Sequence, residues 1–158
     1  MSLISQTHQS GLILVAAQRY LGAPYLRHDG WSDAREYHAK RVEERGSGFC
    51  CSGLVIAVAH ACSIALPKQG LDARGLFDRL PAVSVPNIGD LVFVSSKGVG
   101  ICHVGFVAEE GILHASKTSA SVCLSSFEEF FTQYPVIVPY SHVRHPLNPV
   151  GYRRLANT

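Results

Sequence analysis

Apolar spacing divides the chain into a helical first part and a strand-rich second part. Ile13, Ala16, Ala17, Tyr20 and Leu21 recur at helical spacing and predict a helix with one apolar face. Ser10 is its expected N-cap, and Gly22 with Pro24 supply a stop signal. Ser52 to Ala65 is apolar on nearly every side, the pattern of a helix buried in a core, with Pro67 as its expected end. Asp72 is placed to cap a short helix over Ala73 to Leu80, which Pro81 would close. Beyond it, Leu91–Val94, Ile101–Ala108, Ile112–Ala115 and Ser121–Leu124 are β-prone runs, parted by turns such as Lys97-Gly98 and Glu109-Glu110-Gly111. Ser125 and Ser126 stand three residues ahead of Glu128 and Glu129, a capping-box pattern that opens a short helix to Tyr134. Val136–Val138 and Val150–Leu155 are the last strand candidates. Helices first and a meander of strands second predict an α+β domain built on an antiparallel sheet.

Residues 26 to 49 break this pattern, being polar, charged and poor in aliphatics. Glu36, Lys40 and Glu44 follow one another at four-residue steps, which suits an exposed helix with ion pairs. The 158 residues fit one domain with one core, and 47% hydrophobic against 16% charged residues is a globular balance. A net charge of +2 is too small for a nucleic-acid footprint. The longest apolar stretch, Leu54–Leu66, is interrupted by His60 and Ser63 and falls short of the roughly 18 apolar residues a membrane span needs. Met1 to Ser10 is polar, without the basic and apolar regions of a secretory signal, so synthesis in the cytoplasm is the expectation. Five cysteines, odd in number and without a CxxC pair, are expected to be free thiols in a reducing compartment.

One of them carries the candidate chemistry. Cys51 stands at the start of the buried helix, in Phe49-Cys50-Cys51-Ser52-Gly53-Leu54-Val55. There the first N–H groups lack intrahelical partners and the dipole is positive, which favours a thiolate and can hold an oxyanion. Candidate bases lie downstream: His103 in Cys102-His103-Val104-Gly105-Phe106 and His114 in Gly111-Ile112-Leu113-His114-Ala115. An even-numbered turn at Glu109-Glu110 sets Ala108 opposite Gly111 and leaves both histidines on one face. They are then diagonal neighbours roughly 7–8 Å apart at the backbone, within side-chain reach. One imidazole can serve as base to the thiol while the other orients it. An odd-numbered loop would put them on opposite faces. Other polar groupings carry less: His142-Val143-Arg144-His145 lacks the ligands that would complete a metal site, Asp90 after Gly89 suits turn or strand-cap chemistry, and Gly98-Val99-Gly100 lacks the rest of a phosphate loop. No metal and no cofactor are expected.

These pieces, in order, resemble the NlpC-type family of papain-like cysteine peptidases, which cleave bacterial cell-wall peptides. Tyr20-Leu21-Gly22-Ala23-Pro24-Tyr25 resembles the motif ahead of the family's nucleophile loop, and Cys51-Ser52-Gly53-Leu54-Val55 its nucleophile motif. Gly89-Asp90-Leu91-Val92-Phe93 is similar to its first central strand, His103-Val104-Gly105-Phe106 to the strand of the catalytic base, and Ile112-Leu113-His114-Ala115 to that of the third polar residue. Gly151-Tyr152-Arg153-Arg154 is similar to its closing strand. The resemblance implies a papain-like fold, with N-terminal helices on a central antiparallel sheet. It implies Cys51 as nucleophile, His103 as general base and His114 as orienting residue, with Tyr25, Cys50 and Ser52 at the substrate and oxyanion position. It further implies cleavage of an amide bond beside D-glutamate or diaminopimelate in peptidoglycan stem peptides.

Two departures accompany it. The family's usual Asp immediately before the nucleophile is here Cys50, and a thiol cannot offer a carboxylate's charge to a substrate's terminal amine. The segment ahead of Cys50 is longer than usual, so residues 28–47 are expected to form an inserted surface loop or lid. The expected partners are peptidoglycan stem peptides or muropeptides, with no nucleic acid and no membrane span. A phage-tail, secretion-system or immunity-protein partner and delivery to the periplasm or cell wall stay open. So do two other functions: a thiol acyltransferase or amidase on a non-peptidoglycan substrate, and a non-catalytic binding domain that keeps the fold.

Overall fold

The computed structural model describes residues 3–25, 48–66, 72–95, 101, 103–134, 136–137 and 151–156. The inserted segment 28–47, with its Glu36–Lys40–Glu44 helix, and the His142–His145 cluster lie outside the described residues, as does Pro67.

Helix α1 (Leu3–Gln18) starts well ahead of Ser10, so Ser10 is not its N-cap. Ser10 lies mid-helix and buried. Gly89, at φ +97°, packs against it so closely that a Cβ there would overlap the Ser10 carbonyl. Ile13, Leu14, Ala16 and Ala17 form the buried face. The helix ends at Gln18, so Tyr20 and Leu21 fall in the following turn rather than on that face. Tyr20 packs edge-on against Phe49 at 5.0 Å, and Leu21 is 47% exposed.

Helix α2 (Cys51–Ala61) is the core helix, buried from Ser52 to Ala59. It stops short of the expected Ala65 because Ser63 turns left-handed (φ 56°), and the Ile64 N–H reaches back to the Ala59 carbonyl at 2.8 Å. Helix α3 (Ala73–Arg79) is capped as expected, the Asp72 carboxylate accepting from the Gly75 N–H at 2.7 Å. Helix α4 (Phe127–Gln133) is capped by Ser126, whose hydroxyl accepts from the Glu129 N–H at 3.1 Å.

Among the described residues, six strands make one antiparallel sheet: β1 (Leu91–Ser95), β2 (His103–Val107), β3 (Gly111–Ser116), β4 (Ser121–Ser126), β5 (Val136–Ile137) and β6 (Tyr152–Arg153). The order is β4-β3-β2-β1, with β5 and β6 sharing the far edge of β1: β6 along Leu91–Val92 and β5 along Val94–Ser95. Alternation along the strands builds a core on each face. Leu91, Phe93, Val104, Phe106, Leu113, Ala115 and Val122 pack with α1, α2 and α3. Val92, Val94 and Ile112 pack on the other side with Phe130 and Tyr134 of the α4 segment. This is the α+β, papain-like arrangement expected from the sequence, with helices laid on a central antiparallel sheet.

The last strand is pinned by charge. Asp90, 1% exposed, accepts two bonds from Arg154 (Nε 2.9 Å, Nη2 2.8 Å) and one from the Asn87 N–H at 2.7 Å. The turn role expected for Asp90 thus extends to a fork that ties the chain's end to the start of β1. Neighbouring Arg153 is fully buried, donating to the Phe77 carbonyl at 3.0 Å with its guanidinium 3.7 Å over the Phe77 ring. Burial pushes its pKa down to about 10. Replacing Asp90 with Ala removes the carboxylate fork from the half-buried Arg154 guanidinium and the acceptor from the Asn87 N–H, and is expected to cost about 3 kcal/mol in urea unfolding.

Candidate active site

Cys50 and Cys51 divide the start of α2 between them. Cys50 is the N-cap, extended in backbone, with its sulfur accepting from the Gly53 N–H at 3.4 Å and lying 3.6 Å from the Ser52 hydroxyl. Cys51 is the first helical residue, so its N–H and that of Ser52 precede the first intrahelical bond, which runs from Leu54 N–H to the Cys50 carbonyl at 3.0 Å. The half-buried Cys51 packs against the larger core, and Ser52 is buried.

The approach to this helix is fastened to the sheet. The Gly22 and Tyr25 N–H groups donate to the Val122 and Ala120 carbonyls at 2.9 Å each, and the Val122 N–H donates to the Ala23 carbonyl at 2.8 Å. Residues 22–25 therefore run along β4 as a short outer strand. Phe49 then pairs with Tyr25, its N–H donating to the Pro24 carbonyl at 3.0 Å. Tyr25 and the start of α2 are thereby held near the β3–β4 turn. That is the end of the sheet at which β2 begins with His103. From there α2 packs against both β2 and β3.

The turn between β2 and β3 has an even length, the two residues Glu109 and Glu110. Ala108 N–H bonds the Gly111 carbonyl at 2.8 Å, and Phe106 pairs with Leu113 and Val107 with Ile112. His103 and His114 consequently share one face, and His103 Nε2 lies 2.7 Å from His114 Nδ1. The next step of the register sets Gly105 opposite His114, a position with no room for a side chain. A Cβ at Gly105 would stand 3.1 Å from the His114 Cβ and overlap Ile112. The shared face is that of the smaller core, not the one covered by α1 and α2. Tyr134 stacks on His103 at 4.5 Å with 5° between the planes, and Phe130 meets His114 edge-on at 4.9 Å.

Ser125 extends the pair. His114 Nε2 lies 2.8 Å from the Ser125 hydroxyl, while the Cys123 sulfur is 3.9 Å from the same nitrogen. By its spacing to Glu128, Ser125 is only a capping-box candidate. The structure gives the cap to Ser126 and turns Ser125, one residue earlier and on the opposite face of β4, toward the histidine. The signal was present in the β3–β4 pairing, where His114 faces Cys123 and Ser125 sits one diagonal away, as His103 does on the other side. Among the described residues, no three His, Cys, Asp or Glu side chains are grouped as metal ligands, and no helix is long and apolar enough to cross a membrane.

Burial sets the protonation of the pair. It pulls the His103 pKa down to about 3, with the charge of His114 adding to the effect, and His114 down to about 4. Both rings are therefore neutral at pH 7.

A cysteine at the start of a core helix and a histidine opening a strand of an antiparallel sheet define the papain-like class of cysteine-peptidase folds. The NlpC/P60 family model matches residues 34–139, and the chain belongs to that family. Among solved structures, it is similar to the NlpC/p60 domain of the peptidoglycan hydrolase SagA (26% identity, TM-score 0.55, covering 82% of this chain and 97% of that one). It shares the fold of the peptidoglycan hydrolase RipB from Mycobacterium tuberculosis (19%, 0.60, covering 100% and 70%). It also shares that of RipD from the same organism, a non-catalytic NlpC/p60 domain protein adapted to peptidoglycan binding (17%, 0.53, covering 75% and 87%). It spans 42% of a family member from Staphylococcus aureus and 40% of one from Bacillus cereus. No curated protein sequence matches it.

The depressed histidine pKa values make stability depend on pH with a defined sign. Unfolded histidines bind protons below about 6.5, and the folded pair refuses them until about 4 and 3. The stabilisation is complete above pH 6.5 and drains away on acidification, by about 1.4 kcal/mol per pH unit for each histidine within that window. Urea unfolding between pH 7 and 5 is expected to show this slope, and the His103→Gln/His114→Asn double variant to lose that part of it. Equal slopes in the two proteins would contradict a neutral buried pair.

Proposed function

We propose that the protein is a cysteine hydrolase that cleaves an amide bond in peptidoglycan stem peptides, beside D-glutamate or diaminopimelate. The observation that carries this reading is the hydrogen-bonded His103–His114 pair at the end of the sheet where α2 begins with Cys51. Membership of a family that includes peptidoglycan hydrolases supplies the substrate class.

The chemistry follows from which nitrogens are occupied. His103 Nε2 is engaged with His114, so Nδ1 is the nitrogen left to work as a base. His103 is the first residue of β2, at the end of the sheet to which residues 22–25 and Phe49 bring the start of α2. Nδ1 takes the Cys51 thiol proton, and the sulfur attacks the amide carbonyl. The oxyanion is held by the Cys51 N–H and the Tyr25 hydroxyl. The tetrahedral intermediate collapses to a thioester as the leaving amine takes the proton from His103. Water, deprotonated at the same nitrogen, then releases the acid and restores the thiol. This substrate puts the site of action at the cell wall.

A second reading, a thiol amidase or acyltransferase on a different acyl substrate, is favoured by Cys50. It occupies the position of the family's usual carboxylate, and its sulfur is taken up in capping α2.

Mass spectrometry of purified muropeptides after incubation is expected to reveal new fragments with the wild type. Cys51→Ala should cut turnover to below about a thousandth while leaving the circular dichroism spectrum unchanged. Alkylation at neutral pH should modify Cys51 well before Cys123, or before Cys62, whose thiol burial pushes up. Intact muropeptides with the wild type would favour the second reading, and a retained rate in Cys51→Ala would remove Cys51 from the mechanism.

A further inference from the structure

We propose that Ser125 is a positioning residue of the histidine pair, accepting the His114 Nε2–H so that His103 keeps its proton on Nε2 and offers a bare Nδ1 as base. The inference rests on the reading of Cys51 and His103 as thiol and base.

Three residues form a staircase across three strands. His103 on β2 reaches His114 on β3 at 2.7 Å, and His114 reaches Ser125 on β4 at 2.8 Å, each step a diagonal of the antiparallel pairing. A neutral imidazole carries one N–H, so the chain has two internally consistent proton orders. In the first, His103 Nε2–H donates to His114 Nδ1, His114 Nε2–H donates to Ser125, and His103 Nδ1 is bare. In the second, every bond is reversed: the Ser125 hydroxyl donates to His114 Nε2, His114 Nδ1–H donates to His103 Nε2, and His103 Nδ1 carries the proton. Only the first order leaves a base for a thiol.

Ser125 decides between them through what else lies at its end of the chain. His114 is 1% exposed, so a proton on its Nε2 needs a partner. The hydroxyl is well placed and half-exposed, free to accept from His114 while its own hydrogen goes to water or to the Cys123 sulfur at 3.7 Å. Without it, the remaining hydrogen-bonding neighbour at that nitrogen among the described residues is Cys123, whose sulfur is 3.9 Å away and is a weak acceptor. Losing the hydroxyl thus penalises the first order, while a bare Nε2 can take the thiol's S–H. When His103 gains the thiol proton, the same acceptor matters more, because positive charge spreads along the chain toward Ser125. A purely structural Ser125 would fill space and satisfy a buried nitrogen in either order. Nothing about proton placement would then depend on it.

The test reads the proton directly and the chemistry separately. In protein labelled with 15N-histidine, long-range proton–nitrogen spectra are expected to show His114 protonated on Nε2 in the wild type and in Ser125→Thr, which keeps the hydroxyl. In Ser125→Ala they should show it shifted toward Nδ1. On muropeptides, Ser125→Ala should lower kcat roughly 10- to 100-fold with KM nearly unchanged, and Ser125→Thr should recover most of it. Alkylation of Cys51 by iodoacetamide should need a higher pH in Ser125→Ala than in the wild type. A wild-type His114 protonated on Nδ1, or an alanine variant with its tautomer and alkylation profile unmoved, overturns the proposal. Because the spectra and alkylation need no substrate, a wild type inert on muropeptides would sink the proposed peptidoglycan activity and leave these two measurements to decide the role of Ser125.

Discussion

The register between β2 and β3 is the constraint on which the site depends. It is set by the two-residue turn at Glu109-Glu110, closed by the Ala108–Gly111 hydrogen bond, and it is all-or-none in its effect. Side chains alternate across a sheet, so one residue added to that turn would send His114 to the opposite face and separate it from His103. The same register puts Gly105 opposite His114, where a Cβ would crowd the His114 Cβ and overlap Ile112. The pairing of β3 with β4 continues the diagonal to Ser125. Two hairpins thus place three polar side chains in a row without any long-range contact having to position them one by one.

The sheet keeps these polar groups apart from the bulk of the core. Its helix-facing side is apolar, from Leu91 and Phe93 through Val104 and Phe106 to Leu113, and this is the surface on which α2 packs. The histidines lie on the other side, under Phe130 and Tyr134. Helix α4 follows β4 directly, so one turn both caps the helix at Ser126 and lays its aromatic residues over the rings. What links the two sides is the end of the sheet. There the strand at residues 22–25 and its pairing with Phe49 bring the start of α2 to the corner where β2 begins.

Much of this was legible from local signals. The caps at Asp72 and Ser126, the strand runs, and Cys51 at a helix start all follow from short-range chemistry, and the structure has them where those signals put them. The shared face of His103 and His114 followed from turn parity alone. The misreadings came where backbone geometry outside the local pattern decided the outcome. Ser10 has the residue type of a cap, but α1 begins at Leu3 and leaves it mid-helix, where its backbone meets Gly89. The apolar side chains of the core helix continue to Ala65, yet a left-handed Ser63 ends it. The Asp90–Arg154 fork joins residues 64 apart, and no periodicity carries that information.

The neutrality of the buried pair bears on how such a site can be ordered. In many triads a carboxylate fixes the base by charge, and its acceptor-only oxygens leave one proton arrangement. No carboxylate is hydrogen-bonded to His114 among the described residues; its partners are an imidazole, a hydroxyl and a thiol. Each of those can donate or accept, so the direction of the chain has to come from the balance of solvent access and acceptor strength at its outer end. That balance falls at Ser125, where the strand meets water, rather than at either histidine. Burial keeps the rings uncharged, the register keeps them in line, and the hydroxyl at the rim gives the line its direction.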